Sequence, residues 1–421
     1  MTLCQIVGVN QNNDKEIWIS EYYNTKIKIL LPLQENIYQE KIILIITQKG
    51  LTTSFLSYTY LGDIVKKIIF IILLLFISIP NIKASTDTAS SYVLMDLDSG
   101  RVLSEKNMHS QKLIASITKI MTCIIAIENE DINSLVTVDE SINKSYGSGI
   151  YISVGEQIKL IDLLYGLMLR SGNDAAIMIS TYVSKTEENF VKLMNKKANE
   201  IGMKNTCFYN SSGLDNNTRG NLSTAYDMAL ITRYAMQNET YRKIVSTTKY
   251  TVKTNLKTYI WHNKNKLLST DYITGGKTGY TEKAKRTLVS TASKDNLNLV
   301  VVTLKDSDDW NTHKSLYENA FNTYKSYKVL NKKTFSVPKD NYYKNLYIKE
   351  DFYLLLKKEE THHLISHIKL EKKKNYQTGD IVGTNYIYLD DTLVGKVNIY
   401  AKSPQKSNHF INKIKNIFKR K

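Results

Sequence analysis

Three short groups of residues carry side chains suited to one reaction. The first is Ser116-Ile117-Thr118-Lys119, which opens an apolar stretch reading KIMTCIIAI. An i, i+3 pair shares one face of a helix, so the lysine amine reaches the serine hydroxyl. An alcohol becomes an effective nucleophile when a base removes its proton. A lysine is such a base when burial or a neighbouring cation leaves it neutral. The second group is Ser171-Gly172-Asn173, between two apolar helical segments. Its hydroxyl can shuttle a proton, and its amide can hold both the lysine and a substrate amide oxygen. The third is Lys277-Thr278-Gly279, preceded by Gly275-Gly276 and followed by Tyr280. A lysine and a threonine there can hold a carboxylate, and the glycine lets substrate approach a strand edge. Each group also has a plainer reading. These are a capping serine with a surface lysine, a helix–helix turn capped by Ser171 or Asn173, and a tight turn before a surface strand.

The elements that must position these groups are legible in outline. Tyr92 to Leu97 alternates as a strand, Asp98-Ser99-Gly100-Arg101 is a turn, and Val102-Leu103-Ser104 begins the return. Helical stretches run from Ser116 to Asn129, Leu160 to Met168 and Asp174 to Ser184. A second hairpin joins Thr287–Ala292 to Leu297–Leu304 across Lys294-Asp295-Asn296. Strands therefore open and close this region while helices fill it. The pattern predicts an antiparallel sheet covered by helices, with a helical subdomain inserted between its outer strands. From about Thr334 short alternating stretches separated by Asp, Gly and Lys predict a small all-β domain.

The order of the three groups, SxxK, then SxN, then KTG, matches the trio of β-lactamases and penicillin-binding proteins. The chain resembles the low-molecular-mass penicillin-binding proteins that are serine-type D-alanyl-D-alanine carboxypeptidases. The resemblance extends to LMLRSGNDAA (167–176), NSSGLD (210–215), KTGYT (277–281), the Asp98-Ser99-Gly100 hairpin and the β-rich C-terminal part. It implies an α/β fold of the β-lactamase/transpeptidase type with a C-terminal β domain. It implies Ser116 as nucleophile, Lys119 as general base with its pKa lowered by burial and by Lys277, Ser171 as proton relay and Asn173 for orientation. Lys277 and Thr278 would bind the terminal carboxylate. Gly279 would leave room for substrate, and the N–H groups of Ser116 and Tyr280 would form the oxyanion hole. The substrate would be a peptidoglycan stem peptide ending in D-Ala-D-Ala, with β-lactams as covalent inhibitors and no cofactor or metal. Two departures stand out: Ile114 where the family often has proline, and Lys285 where it usually has glycine or serine. The rival readings are a class A-like β-lactamase and a non-catalytic sensor of peptidoglycan or β-lactams. The first would need an E-x-x-L-N element between Asn173 and Lys277, and none is present.

The 421 residues divide into an unassigned stretch 1–62, a signal or anchor 63–84, a catalytic domain 85–330, a β domain 334–403 and a basic amphipathic segment 407–421. The signal reading rests on an apolar run, Ile68 to Pro80, preceded by Lys66 and Lys67 and followed by Ala84. Its position so far from Met1 suggests an over-extended start. Export would disfavour ATP- or nicotinamide-dependent chemistry. The net charge is +17, concentrated after Lys325, which suggests an anionic surface as partner. Phe410, Ile411, Ile414, Ile417 and Phe418 form one helical stripe among lysines, the pattern of a helix lying in a membrane interface. Export argues against nucleic acid. His363 and His367 read as points on one face of a half-buried strand, too far apart for a metal site. Cys123 reads as a packed core residue and Cys207 as structural.

Overall fold

The computed structural model describes residues 88–215, 219–337, 342–343 and 345–402, and the backbone of four strands nearer the start. Those four are Glu16–Tyr22, Thr25–Leu30, Ile43–Gln48 and Leu51–Phe55, paired antiparallel in chain order. They belong to a separate unit, Met1–Ala84. The signal-like run and the basic segment 407–421 lie outside the described residues.

The main body is built on five antiparallel strands: β1 (Ser91–Asp96), β2 (Val102–Lys106), β3 (Ile273–Thr281), β4 (Lys285–Lys294) and β5 (Leu297–Leu304). Their order is β3-β4-β5-β1-β2, so β3 is an edge. Strand alternation assigns the two faces. Val93, Met95, Val289, Val300 and Val302 enter the larger core. Leu94, Leu288, Leu299 and Val301 enter a second core on the other side. Both faces are covered, which is why β5, LNLVVVTL, reads as a mostly apolar run rather than an alternating one.

The larger core is made with helices α1 (Lys119–Asn129), α2 (Leu160–Tyr165), α3 (Asn173–Ser184), α4 (Glu187–Ile201), α5 (Ala225–Ala235) and α6 (Glu239–Ser246). These fall between β2 and β3 in sequence, as the inserted helical subdomain requires. Helix α1 is buried from Lys119 through Ala126. A helix apolar on all sides belongs at the centre of a bundle. The chain enters it through a tight turn at Ala115–Thr118, so the regular helix starts at Lys119 rather than Ser116. Helix α7 (Asp309–Thr323) covers the other face.

Beyond it come β6 (Lys325–Leu330), β7 (Leu346–Tyr347), β8 (Phe352–Leu356), β9 (Leu364–Leu370), β10 (Ile381–Leu389) and β11 (Thr392–Ala401). Strand β6 pairs with β8, and the others form a sheet in the order β7-β11-β10-β9. This part joins the main body through Arg101, in the turn between β1 and β2. Its guanidinium donates to the Leu355 carbonyl and, at 2.7 Å, to Glu360. The Leu355 side chain packs in the core beside α7. His363 precedes β9 instead of lying on it, and its ring meets Asp390 at 2.8 Å. The expectation of two histidines on one strand face is corrected there. Cys123 and Cys207 are free thiols, the first fully buried with its pKa pushed up by that burial.

Candidate active site

The turn at Ala115–Thr118 is held from two sides. The Thr287 hydroxyl of β4 donates to the Ile114 carbonyl at 3.0 Å. The Asn221 amide donates to Thr118 Oγ1 at 2.9 Å. Ile114, where the family often has proline, is fully buried in the larger core. Fixing both ends of this turn presents the half-buried Ser116 at the N-terminus of α1.

Lys119 follows one turn later and is fully buried. Its Nζ donates to Ser116 Oγ at 3.2 Å, to Asn173 Oδ1 at 2.8 Å and to the Ser212 carbonyl. All three acceptors are uncharged oxygens. Its pKa is depressed to about 7, chiefly by burial and then by the positive charge of Lys264, against the opposing pull of Asp174. Lys264 is thus a second cation acting on Lys119, and the repulsion between Lys119 and Lys277 falls on Lys277.

The Ser171–Asn173 group sits where a wide helical turn, Gly166–Arg170, ends and α3 begins. Ser171 adopts φ 63, which turns the chain sharply between the two. Asn173 is buried, and its Oδ1 accepts from Lys119. Its Nδ2 donates to the Tyr146 carbonyl at 2.6 Å, so one of the two amide hydrogens is already committed within the protein.

Lys277 lies on edge strand β3 opposite Val289 in register. Val289 points into the helical core, and Lys277 points the same way. Its Nζ donates to Ser171 Oγ at 3.0 Å and to the Thr278 carbonyl at 2.7 Å. Burial lowers its pKa well below the lysine range, followed by the charges of Lys119 and Lys264. Ser171 is therefore tied to Lys277 and not to Lys119. Thr278 is half-buried, and Tyr280 is exposed with its hydroxyl on Glu282 at 2.7 Å.

Gly279 is where the sheet edge meets Ser116. A β-carbon there would lie 2.9 Å from the Ser116 nitrogen and 2.4 Å from Thr287 Oγ1. Only a residue without a side chain permits this approach. Lys285, at the other end of the β3–β4 turn, has φ 58 and is exposed. A left-handed backbone explains glycine at that position elsewhere, and a lysine there costs about 1 kcal/mol.

Sequence reasoning missed Lys264 and the loop 145–151. Lys264 Nζ donates to Ser148 Oγ at 3.2 Å, and burial followed by Arg170 lowers its pKa. Nothing in the sequence separates it from the other lysines of a basic chain. Asn173 N–H donates to the Ser148 carbonyl at 2.7 Å. Asp174 accepts from the N–H groups of Ile150 and Tyr151 at 3.0 and 2.6 Å. The acidic residue was visible within LMLRSGNDAA, but its loop partner lay more than twenty residues away. Among the described residues no cluster of His, Cys, Asp or Glu has the makings of a metal site.

Two deeply placed amines without a carboxylate partner, a hydroxyl at a helix N-terminus and an open sheet edge suit acyl transfer from an anionic peptide. Comparison with known proteins agrees. Residues 80–308 match the D-alanyl-D-alanine carboxypeptidase family of peptidases, S11, and residues 321–406 match the C-terminal domain of penicillin-binding protein 5. D-alanyl-D-alanine carboxypeptidase DacF of Bacillus subtilis is 32% identical over 346 residues, covering 78% of this chain and 88% of its own. The structure of penicillin binding protein 5 from Haemophilus influenzae superposes with a TM-score of 0.64 at 26% identity, covering 76% of this chain and 98% of its own. A D-alanyl-D-alanine carboxypeptidase structure from Mycobacterium tuberculosis gives 0.54 at 28% identity, over 56% and 92%. The fold is that of these proteins, an antiparallel sheet clothed by helices with a β domain after it. The chain belongs to the D-alanyl-D-alanine carboxypeptidase family, the serine-type hydrolases among the low-molecular-mass penicillin-binding proteins.

Proposed function

We propose that Ser116 cleaves the terminal D-Ala–D-Ala bond of a peptidoglycan stem peptide through an acyl-enzyme. Lys119 in its neutral form takes the Ser116 proton across the 3.2 Å contact. The freed oxygen attacks the carbonyl carbon between the two D-alanines. The Ser116 and Tyr280 N–H groups receive the oxyanion, each such donor contributing about 3 kcal/mol. Lys277 and Thr278 hold the terminal carboxylate. As the C–N bond breaks, the Ser171 hydroxyl, held by Lys277, gives its proton to the departing amine and is refilled with the proton that Lys119 took from Ser116, so Lys119 is neutral again for the water step. Asn173 keeps Lys119 aimed. Water then cleaves the ester and releases the shortened peptide. A β-lactam forms the same ester, but its leaving group stays tethered and obstructs the water.

The observation that carries this reading is the fully buried Lys119, with a pKa near 7, on the nucleophile's hydroxyl. Among the described residues no Asp or Glu hydrogen-bonds to Ser116, Lys119, Ser171 or Lys277. That favours a carboxypeptidase over an enzyme that uses a carboxylate to activate its deacylating water. The test combines D-alanine release from a pentapeptide with mass spectrometry after exposure to penicillin. An adduct on the Ser116 peptide, and loss of both signals in Ser116→Ala, is the expected result. Rapid penicillin turnover without D-alanine release would instead identify a β-lactamase.

The reaction belongs on the outer side of the cytoplasmic membrane, where its substrate is. The apolar run at 68–80 supports export, and the basic stripe at 407–421 supports contact with the membrane surface. No helix among the described residues is long and apolar enough to cross a membrane. Cell fractionation of the chain with and without residues 407–421 tests the contact: membrane association should fall when they are removed.

A further inference from the structure

The loop 145–151 carries two large rings into solvent. Tyr146 is 59% exposed and Tyr151 75%. Single exposed tyrosines are ordinary, but the mounting of these two is not. Tyr151 stands at φ 60, a left-handed conformation that a β-carbon disfavours. Its N–H donates to Asp174 at 2.6 Å, and its carbonyl accepts from Lys257 Nζ at 2.7 Å and the Tyr259 hydroxyl at 3.3 Å. The Tyr146 carbonyl is held by Asn173, the same side chain that holds Lys119. Lys264 grips Ser148 between them. The loop is thus fastened to the catalytic residues through its backbone while both rings remain uncovered. A strained residue held this firmly, on a loop that Asn173 and Asp174 fasten, points to contact with a ligand.

Reach decides which part of the substrate that is. Three successive hydrogen bonds link the Tyr146 carbonyl to Ser116 Oγ through Asn173 and Lys119. They place this part of the loop on the order of 10 Å from the nucleophile. The stem peptide itself can add to the free edge of β3 by main-chain hydrogen bonds. Four residues on the acyl side of the scissile bond separate it from the sugar, about 13 Å when extended. We propose that Tyr146 and Tyr151 form an aromatic platform for the N-acetylated disaccharide that carries the stem peptide. This rests on the reading of Ser116 given above. Tyrosine rings offer a broad, rigid, amphipathic face at low entropic cost. The C–H faces of pyranose rings suit such a surface, and the phenol oxygens can meet sugar hydroxyls.

The test compares D-alanine release from a free pentapeptide and from the same pentapeptide bearing the disaccharide. The readout is the ratio of the two kcat/KM values, with penicillin acylation to normalise for folded protein. In the double variant Tyr146→Ala/Tyr151→Ala the ratio of sugar-bearing to free substrate should fall about tenfold. The double Phe variant, which keeps both rings, should retain most of it. A ratio equal to the wild type's in the Ala variant overturns the platform, whether both rates fall together or neither falls. Should the wild type release no D-alanine from either substrate, the reaction assigned to Ser116 fails instead. Calorimetry with the disaccharide-pentapeptide then decides the platform alone. Affinity about tenfold weaker without the rings supports it, and equal affinity overturns it.

Discussion

The site around Ser116 and the C-terminal β domain handle positive charge in opposite ways. In the first, Lys119 and Lys277 are sealed from water and bonded to neutral oxygens. In the second, Lys328 meets Asp351 at 2.7 Å and Lys373 meets Asp380 at 3.0 Å, both partly in solvent. Surface pairs of that kind contribute 0–1 kcal/mol and leave the amine a cation. A buried amine without a carboxylate loses its proton instead. For Lys119, the fall from 10.5 to about 7 corresponds to a cost on the order of 5 kcal/mol when the charge is forced to remain. The fold tolerates that cost where a neutral amine is chemically useful, and avoids it elsewhere.

The largest expected effect separates the two regions outright. Lys119→Met should slow acylation by penicillin by about a thousandfold or more, within the range for losing a general base. It should also raise stability below pH 7. Between about pH 7 and 10.5 the unfolded chain binds the proton that native Lys119 has released, so wild-type stability rises with pH across that window. The variant lacks that rise, and thermal unfolding at two pH values measures it. Lys328→Met in the β domain should change stability by no more than about 1 kcal/mol. If both variants behave alike, the contrast is wrong.

Glycines sharpen the same contrast. Gly279→Ala forces a methyl group against Ser116 and Thr287, and should cut the acylation rate by about ten- to a hundredfold through misplacement of the nucleophile. Gly379 has φ +97 and no neighbour within 4 Å of a β-carbon. Alanine there should cost about 1 kcal/mol of stability, read by denaturant titration, with acylation at the wild-type rate.

A third test concerns the joint between the regions. The Arg101 side chain is nearly buried, and Arg101→Ala leaves Glu360 and the Leu355 carbonyl without it. A loss of about 2–3 kcal/mol in unfolding free energy is expected, well above that for a surface pair. The smallest effect is the most informative about the site. Lys264→Met removes a positive neighbour of Lys119, so the lysine pKa should rise. The ascending limb of the pH–rate profile, near pH 7 in the wild type, should move alkaline by about half a unit. An unmoved limb would show that burial alone sets the base.

The sequence made the candidate site residues legible because their spacing is local or their motif is short. SxxK needs one helical turn, and KTG needs one strand. The sheet was legible from its two hairpins, and the helical insert from the apolar stretches between them. The neighbours that tune the site were not. Lys264 acts through space across 145 residues of chain from Lys119, and a lysine in a chain this basic carries no mark of its position. The loop 145–151 is defined by backbone bonds to Asn173 and Asp174, which any residue type can supply. The start of α1 was read three residues early because an apolar pattern does not distinguish a tight first turn from a regular helix.

Arg101 has a mechanical consequence. Its guanidinium locks the corner between β1 and β2 onto β8, while Leu355 plugs the core beneath. Both contacts must break before the β domain can turn about this corner. A pull on the β domain is therefore carried through Arg101 to the strands of the central sheet.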